Sequence, residues 1–280
     1  MLLSAEQLRD CLAAEDCLVF DCRSDLMDRD AGRGAWLVGH VPGAVHANLD
    51  LDLASPVGPG SGRHPLPDAG AFAAFLGRSG WSRQRRVVAY DAQGGAHAVR
   101  LWWLMRHFGL PAPSLLDGGW QAWLAAGFEI NAGEVRVRET PPPVLNAGTE
   151  DALSAQAVQD GLAARKLLLL DARGAERFAG LVEPIDPVAG HVPGALNRPF
   201  TGNLDAQGCF KAPAVLAAEF SARLGQAAAR DVVHMCGSGV TACHNLFAME
   251  LAGMTGSRLY PGSWSEWIQD PRRPVATGND

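Results

Sequence analysis

Four sequence blocks occur twice in this 280-residue chain, in the same order and about half the chain apart. Each set comprises an apolar run ending in Asp-x-Arg, a Gly-His-Val-Pro-Gly-Ala motif, a Val-Val segment and a block with two tryptophans. The pairs are Leu18–Arg23 with Leu168–Arg173, Gly39–Ala44 with Gly190–Ala195, Arg86–Asp91 with Asp231–Cys236, and Leu116–Trp123 with Tyr260–Trp267. This separation far exceeds the period of a solenoid, so the chain is predicted to be a tandem duplication of one domain.

Each copy alternates short apolar runs with stretches of helical periodicity, which predicts an α/β fold. The expected architecture of each copy is a mostly parallel sheet flanked by helices. Ser4 with Gln7 predicts a capping box at the first helix, and Ser154 predicts an N-cap early in the second copy. We place the domains at 1–135 and 151–280, joined by a proline-containing linker at 136–150.

Composition narrows the class of protein. Hydrophobic residues make up 48% of the chain and charged residues 19%, as in globular proteins, and the net charge of −6 argues against a nucleic-acid partner. The longest aliphatic run, Leu167–Leu170, is too short to span a membrane, and the amino terminus lacks a secretory pattern. Six scattered cysteines do not form a disulfide framework. The chain is therefore predicted to be cytoplasmic, without a membrane partner.

Cys236 stands at the most informative position in the sequence. It follows a predicted strand, precedes Gly237-Ser-Gly239, and the helical pattern resumes over 240–251. Such a loop directs main-chain N–H groups at one point beside the positive end of a helix, where a thiolate nucleophile is favoured. A buried structural thiol and an anion site without chemistry are the alternatives. Because two glycines and a serine do not suit a core position, we favour the nucleophile.

The paired Gly-His-Val-Pro-Gly-Ala blocks, the Cys-Gly-Ser-Gly-Val-Thr-Ala loop and the terminal Gly-Ser-Trp-x-Glu-Trp together resemble the two-domain rhodanese family. This family includes 3-mercaptopyruvate and thiosulfate sulfurtransferases, and the resemblance covers nearly the whole chain. It implies transfer of a sulfane sulfur from an anionic donor, with 3-mercaptopyruvate favoured over thiosulfate, through a Cys236 persulfide. The acceptor is expected to be a thiol or cyanide, with a thioredoxin-like protein as one candidate, and no metal or organic cofactor is expected.

The resemblance also assigns roles to individual residues. Ser238 with His64 and Asp52 is expected to relay a proton, although Asp50 is a near competitor for the last position. Arg177 is expected to hold the donor, since a guanidinium fork suits an anion. The N–H groups around the outer sulfur are expected from Gly237, Gly239, Val240 and Thr241.

At two places the sequence departs from the pattern expected of an active member of this family. The first copy has Asp91 where the second has Cys236, and a carboxylate cannot accept and pass on a sulfur atom, so this copy is predicted to be catalytically silent. The mercaptopyruvate enzymes carry a second donor arginine before the second Gly-His block, whereas this chain reads Glu183-Pro-Ile-Asp-Pro187. The donor site is therefore predicted to have lost one positive charge, and neither donor fits cleanly.

Two competing functions stay open at this point. A non-catalytic persulfide carrier or anion-binding module would keep the same loop. A cysteine phosphatase would need an arginine six residues after the cysteine, where this chain has Ala242. A zinc site is disfavoured because the spacing of His234, Cys236, Cys243 and His244 matches no usual ligand pattern.

Overall fold

A computed structural model describes residues 1–15, 17–146 and 151–278. The chain divides into two compact units. The first contains Met1–Ser55, Leu66–Thr149 and Ala206–Phe210, and the second contains Pro56–Pro65, Glu150–Asp205 and Lys211–Asp280. The segment Pro56–Pro65 thus belongs to the second unit, although it lies within the first copy of the repeat.

The first unit is built on a five-stranded sheet with the order β1-β5-β4-β2-β3, in which neighbouring strands pair in parallel. Its strands are Leu2–Leu3 (β1), Cys17–Asp21 (β2), Val45–His46 (β3), Arg86–Tyr90 (β4) and Ser114–Leu116 (β5). Its helices are Ala5–Ala13 (α1), Ala31–Val38 (α2), Ala69–Arg78 (α3), Ala98–His107 (α4) and Gly119–Ala125 (α5).

The second unit repeats this arrangement with a four-stranded parallel sheet of order β7-β6-β8-β9. Its strands are Leu168–Asp171 (β6), Leu196–Asn197 (β7), Val232–Met235 (β8) and Arg258–Leu259 (β9). Its helices are Ala155–Ala163 (α6), Ala175–Phe178 (α7), Pro213–Leu224 (α8), Ala242–Leu251 (α9) and Ser263–Trp267 (α10), with 3₁₀ turns at Phe200–Asn203 and Ala229–Asp231. Ala152 forms a single parallel bridge to β9 in the place that β1 occupies in the first unit. The predicted fold class is confirmed.

Helices cover both faces of the first sheet. Val19 of β2 packs in one core cluster with residues of α1 and α5. The next residue, Phe20, points to the opposite face, where its ring lies 5.4 Å from that of Phe75 in α3. Parallel strands covered on both faces are buried at every residue, as β2 and β8 are, so their sequences are mainly apolar and do not alternate.

The two predicted helix starts are confirmed. Ser4 Oγ accepts a hydrogen bond from the Gln7 N–H at 3.3 Å, and Gln7 Oε1 accepts one from the Ser4 N–H at 2.9 Å. Ser154 Oγ accepts from the Ala157 N–H at 3.2 Å. These side chains satisfy N–H groups that a helix leaves without partners in its first turn.

The repeated blocks meet at one place in each unit. In the first, Arg23 forms a buried ion pair with Asp21, donates to the Gly39 carbonyl at 2.6 Å and lies 4.6 Å from the Trp120 ring. In the second, the same contacts join Arg173 to Asp171, to the Gly190 carbonyl at 2.8 Å and to the Trp264 ring at 4.7 Å. These motifs hold a strand, a turn and a helix together, which explains why both copies keep them.

The predicted linker begins as an extended segment, and residues 136–146 form no helix or strand. Thr140 donates its N–H to the Gly77 carbonyl at 2.9 Å, and Asn146 donates to the Phe108 carbonyl at 3.1 Å. The remainder of the linker, 147–150, lies outside the described residues, and the domain boundaries stay a prediction. No helix in the described ranges has the length and apolar character needed to cross a membrane.

Candidate active site

Cys236 directly follows β8, at the carboxyl edge of the parallel sheet where α/β folds bind ligands. Its side chain is buried, with 2% of the residue exposed. Its N–H donates to Ser263 Oγ at 3.0 Å, and its carbonyl accepts from the Trp264 N–H at 3.0 Å. The α10 end of the chain therefore fixes the main chain of this cysteine on both sides.

The loop after Cys236 turns back onto the sulfur. Gly239 donates its N–H to Cys236 Sγ at 3.1 Å. Gly239 has a φ of +78°, and a Cβ added there would lie 2.1 Å from the Pro261 carbonyl oxygen. Only glycine fits both the left-handed conformation and this close approach.

Further N–H groups of the loop remain available. Those of Gly237, Val240 and Thr241 donate to no other residue that the structure describes. Thr241 immediately precedes the first residue of α9, so these groups lie at the positive end of that helix. The loop can therefore stabilise negative charge beside Cys236.

The structure brings two predicted relay residues together. His64 Nδ1 lies 2.7 Å from Ser238 Oγ, and both residues are buried. His64 reaches the second unit in the segment Pro56–Pro65, and the preceding residue, Arg63, donates its N–H to Ser265 Oγ at 3.0 Å. The imidazole and the hydroxyl can thus exchange a proton within two residues of the thiol.

The predicted third relay residue, Asp52, lies in the first unit. There its carboxylate accepts from the Asn48 N–H at 2.9 Å and pairs with Arg78 at 2.5 Å. Burial raises the pKa of Asp52, while the Asn48 N–H and Arg78 act in the opposite direction. The competing residue, Asp50, donates its N–H to the Asn48 side chain. The relay role of Asp52 stays a prediction.

Arg177 of α7 lies beside the loop, because its two terminal nitrogens are 3.6 and 3.7 Å from a Cβ added to Gly237. Glu183 binds its Nε and Nη2 atoms over 2.7 to 3.2 Å, and Asp186 accepts from Nη2 at 3.2 Å. Burial tends to raise the pKa of Glu183, but hydrogen bonds from Arg177 and two main-chain N–H groups lower it overall. The stretch Glu183–Pro187, which lacks the second donor arginine, therefore orients Arg177.

Sequence reasoning missed Ser263 and Arg63. Ser263 is fully buried with a φ of +55°, a conformation that costs energy for any residue except glycine. Its hydroxyl donates to the Tyr260 carbonyl at 2.9 Å and accepts from the Cys236 N–H. The first copy has Gly119 at this position, with a φ of +56°. A residue-by-residue comparison of the copies could have found Ser263.

The corresponding loop of the first unit is occupied by its own side chain. Oδ1 of Asp91 accepts from the N–H groups of Gln93 and Gly95 at 2.8 and 2.9 Å. Oδ2 accepts from those of His97 and Ala98 at 2.7 and 2.8 Å. Four main-chain donors are therefore satisfied by one buried carboxylate. Within the described residues, no group of three or more His, Cys, Asp or Glu side chains is arranged to hold a metal ion.

Comparison with known proteins agrees with this geometry. The sequence model of the family described as "Rhodanese-like domain" matches residues 4–126 and 154–270. A probable 3-mercaptopyruvate sulfurtransferase of Pseudomonas aeruginosa is 49% identical, covering 99% of this chain and 98% of the relative. A putative thiosulfate sulfurtransferase of Mycobacterium tuberculosis is 39% identical, covering 99% of this chain and 97% of the relative. The 3-mercaptopyruvate sulfurtransferase structure from Leishmania major superposes with a TM-score of 0.85 at 30% identity, covering 98% of this chain and 75% of that one.

The two domains and the cysteine loop thus define a tandem α/β protein with a buried cysteine at the carboxyl edge of its second sheet. The chain belongs to the rhodanese family. It is a sulfurtransferase, which confirms the predicted family and enzyme class. In general terms, its reaction needs a sulfur donor and a thiol acceptor.

Proposed function

We propose that this enzyme moves a sulfane sulfur from an anionic donor, 3-mercaptopyruvate in preference to thiosulfate, through a persulfide on Cys236. The observation that carries the proposal is the buried Cys236 sulfur inside a loop with available N–H groups, next to the Ser238–His64 pair. A thiolate in such a loop is a nucleophile, and the N–H groups stabilise charge that develops on the transferred sulfur.

In the first half-reaction, the Cys236 thiolate attacks the sulfur of 3-mercaptopyruvate and forms an S–S bond. The carbon–sulfur bond of the donor breaks, and its electron pair leaves with pyruvate as the enolate. The proton of the donor thiol passes to the enolate carbon, which gives pyruvate and a Cys236 persulfide anion. Gly237, Gly239, Val240 and Thr241 surround the outer sulfur with N–H groups, and Arg177 binds the donor carboxylate.

Ser238 and His64 carry that proton. Their 2.7 Å contact allows the hydroxyl to receive a proton on one side while it passes one to or from the imidazole on the other. Asp52 is the proposed third member of the relay. Thiosulfate leaves as sulfite, which needs no proton at carbon, so this relay matters mainly for 3-mercaptopyruvate.

In the second half-reaction, a thiol or cyanide attacks the outer sulfur, the S–S bond breaks and the Cys236 thiolate is restored. A thioredoxin-like protein is one candidate thiol acceptor. We further propose a cytoplasmic location, because the cycle needs a reduced Cys236 and all six cysteines are free thiols in the structure.

The relatives support both donors, since the Pseudomonas relative is named for 3-mercaptopyruvate and the mycobacterial relative for thiosulfate. The test is steady-state sulfur transfer to cyanide from each donor, with kcat/KM compared side by side. We expect thiocyanate from both donors and the larger kcat/KM with 3-mercaptopyruvate. A preference for thiosulfate would reverse the donor assignment, and transfer from neither donor would contradict the proposal.

A further inference from the structure

The first residue of α10, Ser263, has a backbone conformation that its local structure does not explain. Three non-glycine residues have a positive φ within the described ranges, and two of them, Glu15 and Arg165, are exposed and directly follow the last turns of α1 and α6. A left-handed residue is ordinary at the end of a helix. Ser263 instead begins a helix and is fully buried, with a φ of +55°. Strain of this kind persists only where the surroundings enforce it, and it is concentrated at functional sites.

The hydroxyl of Ser263 connects the strand β8 to the cysteine. It donates to the Tyr260 carbonyl at 2.9 Å, and the Tyr260 N–H in turn donates to the His234 carbonyl at 2.9 Å. A hydroxyl has one proton, so a lone pair of the same oxygen faces the Cys236 N–H at 3.0 Å. The orientation of this hydroxyl is therefore fixed from both sides.

The first copy has only half of this arrangement. The Trp120 N–H donates to the Asp91 carbonyl at 2.8 Å, as the Trp264 N–H donates to the Cys236 carbonyl at 3.0 Å. Gly119, which corresponds to Ser263, has the same left-handed backbone with a φ of +56° but no hydroxyl. A Cβ added to Gly119 would lie 2.2 Å from the Asp91 carbonyl oxygen, so that turn has no room for a side chain. The contact with the carbonyl is thus common to both copies, whereas the contact between a hydroxyl and the N–H group belongs to the copy with the cysteine.

The direction of the Cys236 sulfur depends on this N–H contact. Sγ accepts from the Gly239 N–H at 3.1 Å, and the peptide plane before Cys236 sets where Sγ lies relative to the loop. Without the Ser263 hydroxyl, the buried Cys236 N–H would lose its acceptor, and the main chain would turn toward another one. A displacement of about 1 Å at a reacting atom can lower a rate by about 100-fold.

We propose that Ser263 is a positioning residue for the nucleophile. Its hydroxyl fixes the main chain of Cys236 so that the sulfur faces the N–H groups of the loop, and its left-handed backbone places the hydroxyl there. This inference rests on the proposed function, in which Cys236 is the nucleophile. It means that the second copy retains a strained serine where a glycine would fit without strain, because the hydroxyl serves the reaction.

The test compares Ser263→Gly with Ser263→Ala. Both variants lose the hydroxyl, but only glycine adopts the positive φ without strain, so Ser263→Gly should have the higher urea midpoint of the two. If the hydroxyl positions the sulfur, kcat should fall by about 10- to 100-fold in both variants and to a similar extent. The fall should be the same for 3-mercaptopyruvate and thiosulfate, with KM within about twofold of wild type, because both donors meet the same nucleophile.

Ser257→Ala is the matched control. Ser257 is a buried serine of the second unit whose hydroxyl has no hydrogen-bond partner in the described part of the chain, and its loss should leave kcat unchanged. A purely structural role for Ser263 predicts that activity follows stability. A wild-type kcat in Ser263→Gly, or a loss that appears only in KM, would overturn the inference while the proposed function stands.

Amide hydrogen exchange separates this inference from the proposed function. The Cys236 N–H should exchange at least about 10-fold faster in Ser263→Gly and Ser263→Ala than in wild type, because its acceptor is gone. Unchanged exchange in both variants would show that the hydroxyl does not hold the main chain, and the inference would be wrong. If wild type turns over neither donor, the proposed function fails and the positioning role in catalysis fails with it, whereas the exchange rates still decide whether Ser263 fixes Cys236.

Discussion

The two copies contain the same strand-loop-helix arrangement, but the loops satisfy their N–H groups differently. In the first copy, four N–H groups bind the Asp91 carboxylate. In the second, one N–H group contacts the Cys236 sulfur, and those of Gly237, Val240 and Thr241 have no partner among the described residues. A loop that carries its own anion is a structural element, whereas a loop that leaves donors available can bind one.

The first copy therefore differs by more than the lack of a cysteine in its loop. Four of its N–H groups are already bound to Asp91, so these four are not available to a ligand anion. The shared Asp-x-Arg, Gly-His and tryptophan blocks stabilise the fold of both units. We propose that the residues that differ between the loops carry the chemistry. Four substitutions test this division.

Cys236→Ser should have the largest effect. The hydroxyl cannot form a persulfide, so sulfur transfer to cyanide should fall by at least about 10⁴-fold, as expected when a nucleophile is lost. Cys209→Ser, which changes a half-buried thiol of the first unit, is the control and should retain activity. Substantial transfer by Cys236→Ser would show that the chemistry does not reside in the second loop.

Asp91→Ala should destabilise the protein without reducing transfer. Three buried N–H groups and one partly buried N–H group would lose their acceptor, at a cost of roughly 3 to 5 kcal/mol in the free energy of unfolding. Urea denaturation measures this loss, and kcat/KM below the unfolding transition should stay within about twofold of wild type.

Asp91→Asn is the matched variant, because it keeps one acceptor oxygen and should lose less stability. A large fall in kcat/KM with intact stability would mean that the first loop takes part in the reaction, contrary to the comparison.

Ser238→Ala tests a second position at which the two loops differ, since the first copy has Gln93 there. Without the hydroxyl that contacts His64, turnover of 3-mercaptopyruvate should fall by about 100-fold, the lower range for general acid–base catalysis. Turnover of thiosulfate should fall much less, because sulfite leaves without a proton at carbon. Equal losses for the two donors would remove the relay role.

His234→Ala should have the smallest effect of the four substitutions, a change of about 1.4 kcal/mol in how stability depends on pH. His234 in β8 corresponds to Ala89 in β4, and both of its ring nitrogens are buried without a partner in the described ranges. Burial lowers its pKa from 6.5 to about 3. Below pH 6.5 the unfolded chain takes up a proton that the folded protein does not, so stability falls by about 1.4 kcal/mol for each pH unit until pH 3.

The alanine variant should lack this contribution. Between pH 7.5 and pH 5.5, urea denaturation of wild type should show a loss about 1.4 kcal/mol greater than that of His234→Ala. Identical losses would mean that another group carries the acid sensitivity of the second unit.

The sequence allowed prediction of features that depend on local pattern. Periodicity and the four repeated blocks predict both parallel sheets, and the glycines around Ser238 predict the loop that follows Cys236. Contacts between distant segments were harder to foresee. Nothing near Arg63 shows that it meets Asp186, because that ion pair depends on how the segment Pro56–Pro65 packs. Ser263 was missed because the sequence indicates its left-handed backbone only indirectly, through Gly119 at the same position of the first copy.

The position of the segment Pro56–Pro65 determines which residues a fragment of this protein would contain. Cutting the chain at the predicted linker would give a carboxyl-terminal fragment with Cys236, Ser238 and Arg177 but without His64 and Arg63. The sequence repeat and the compact units of the structure therefore have different boundaries. On the proposed mechanism, a minimal catalytic fragment would have to carry the short stretch of the first copy that contains His64.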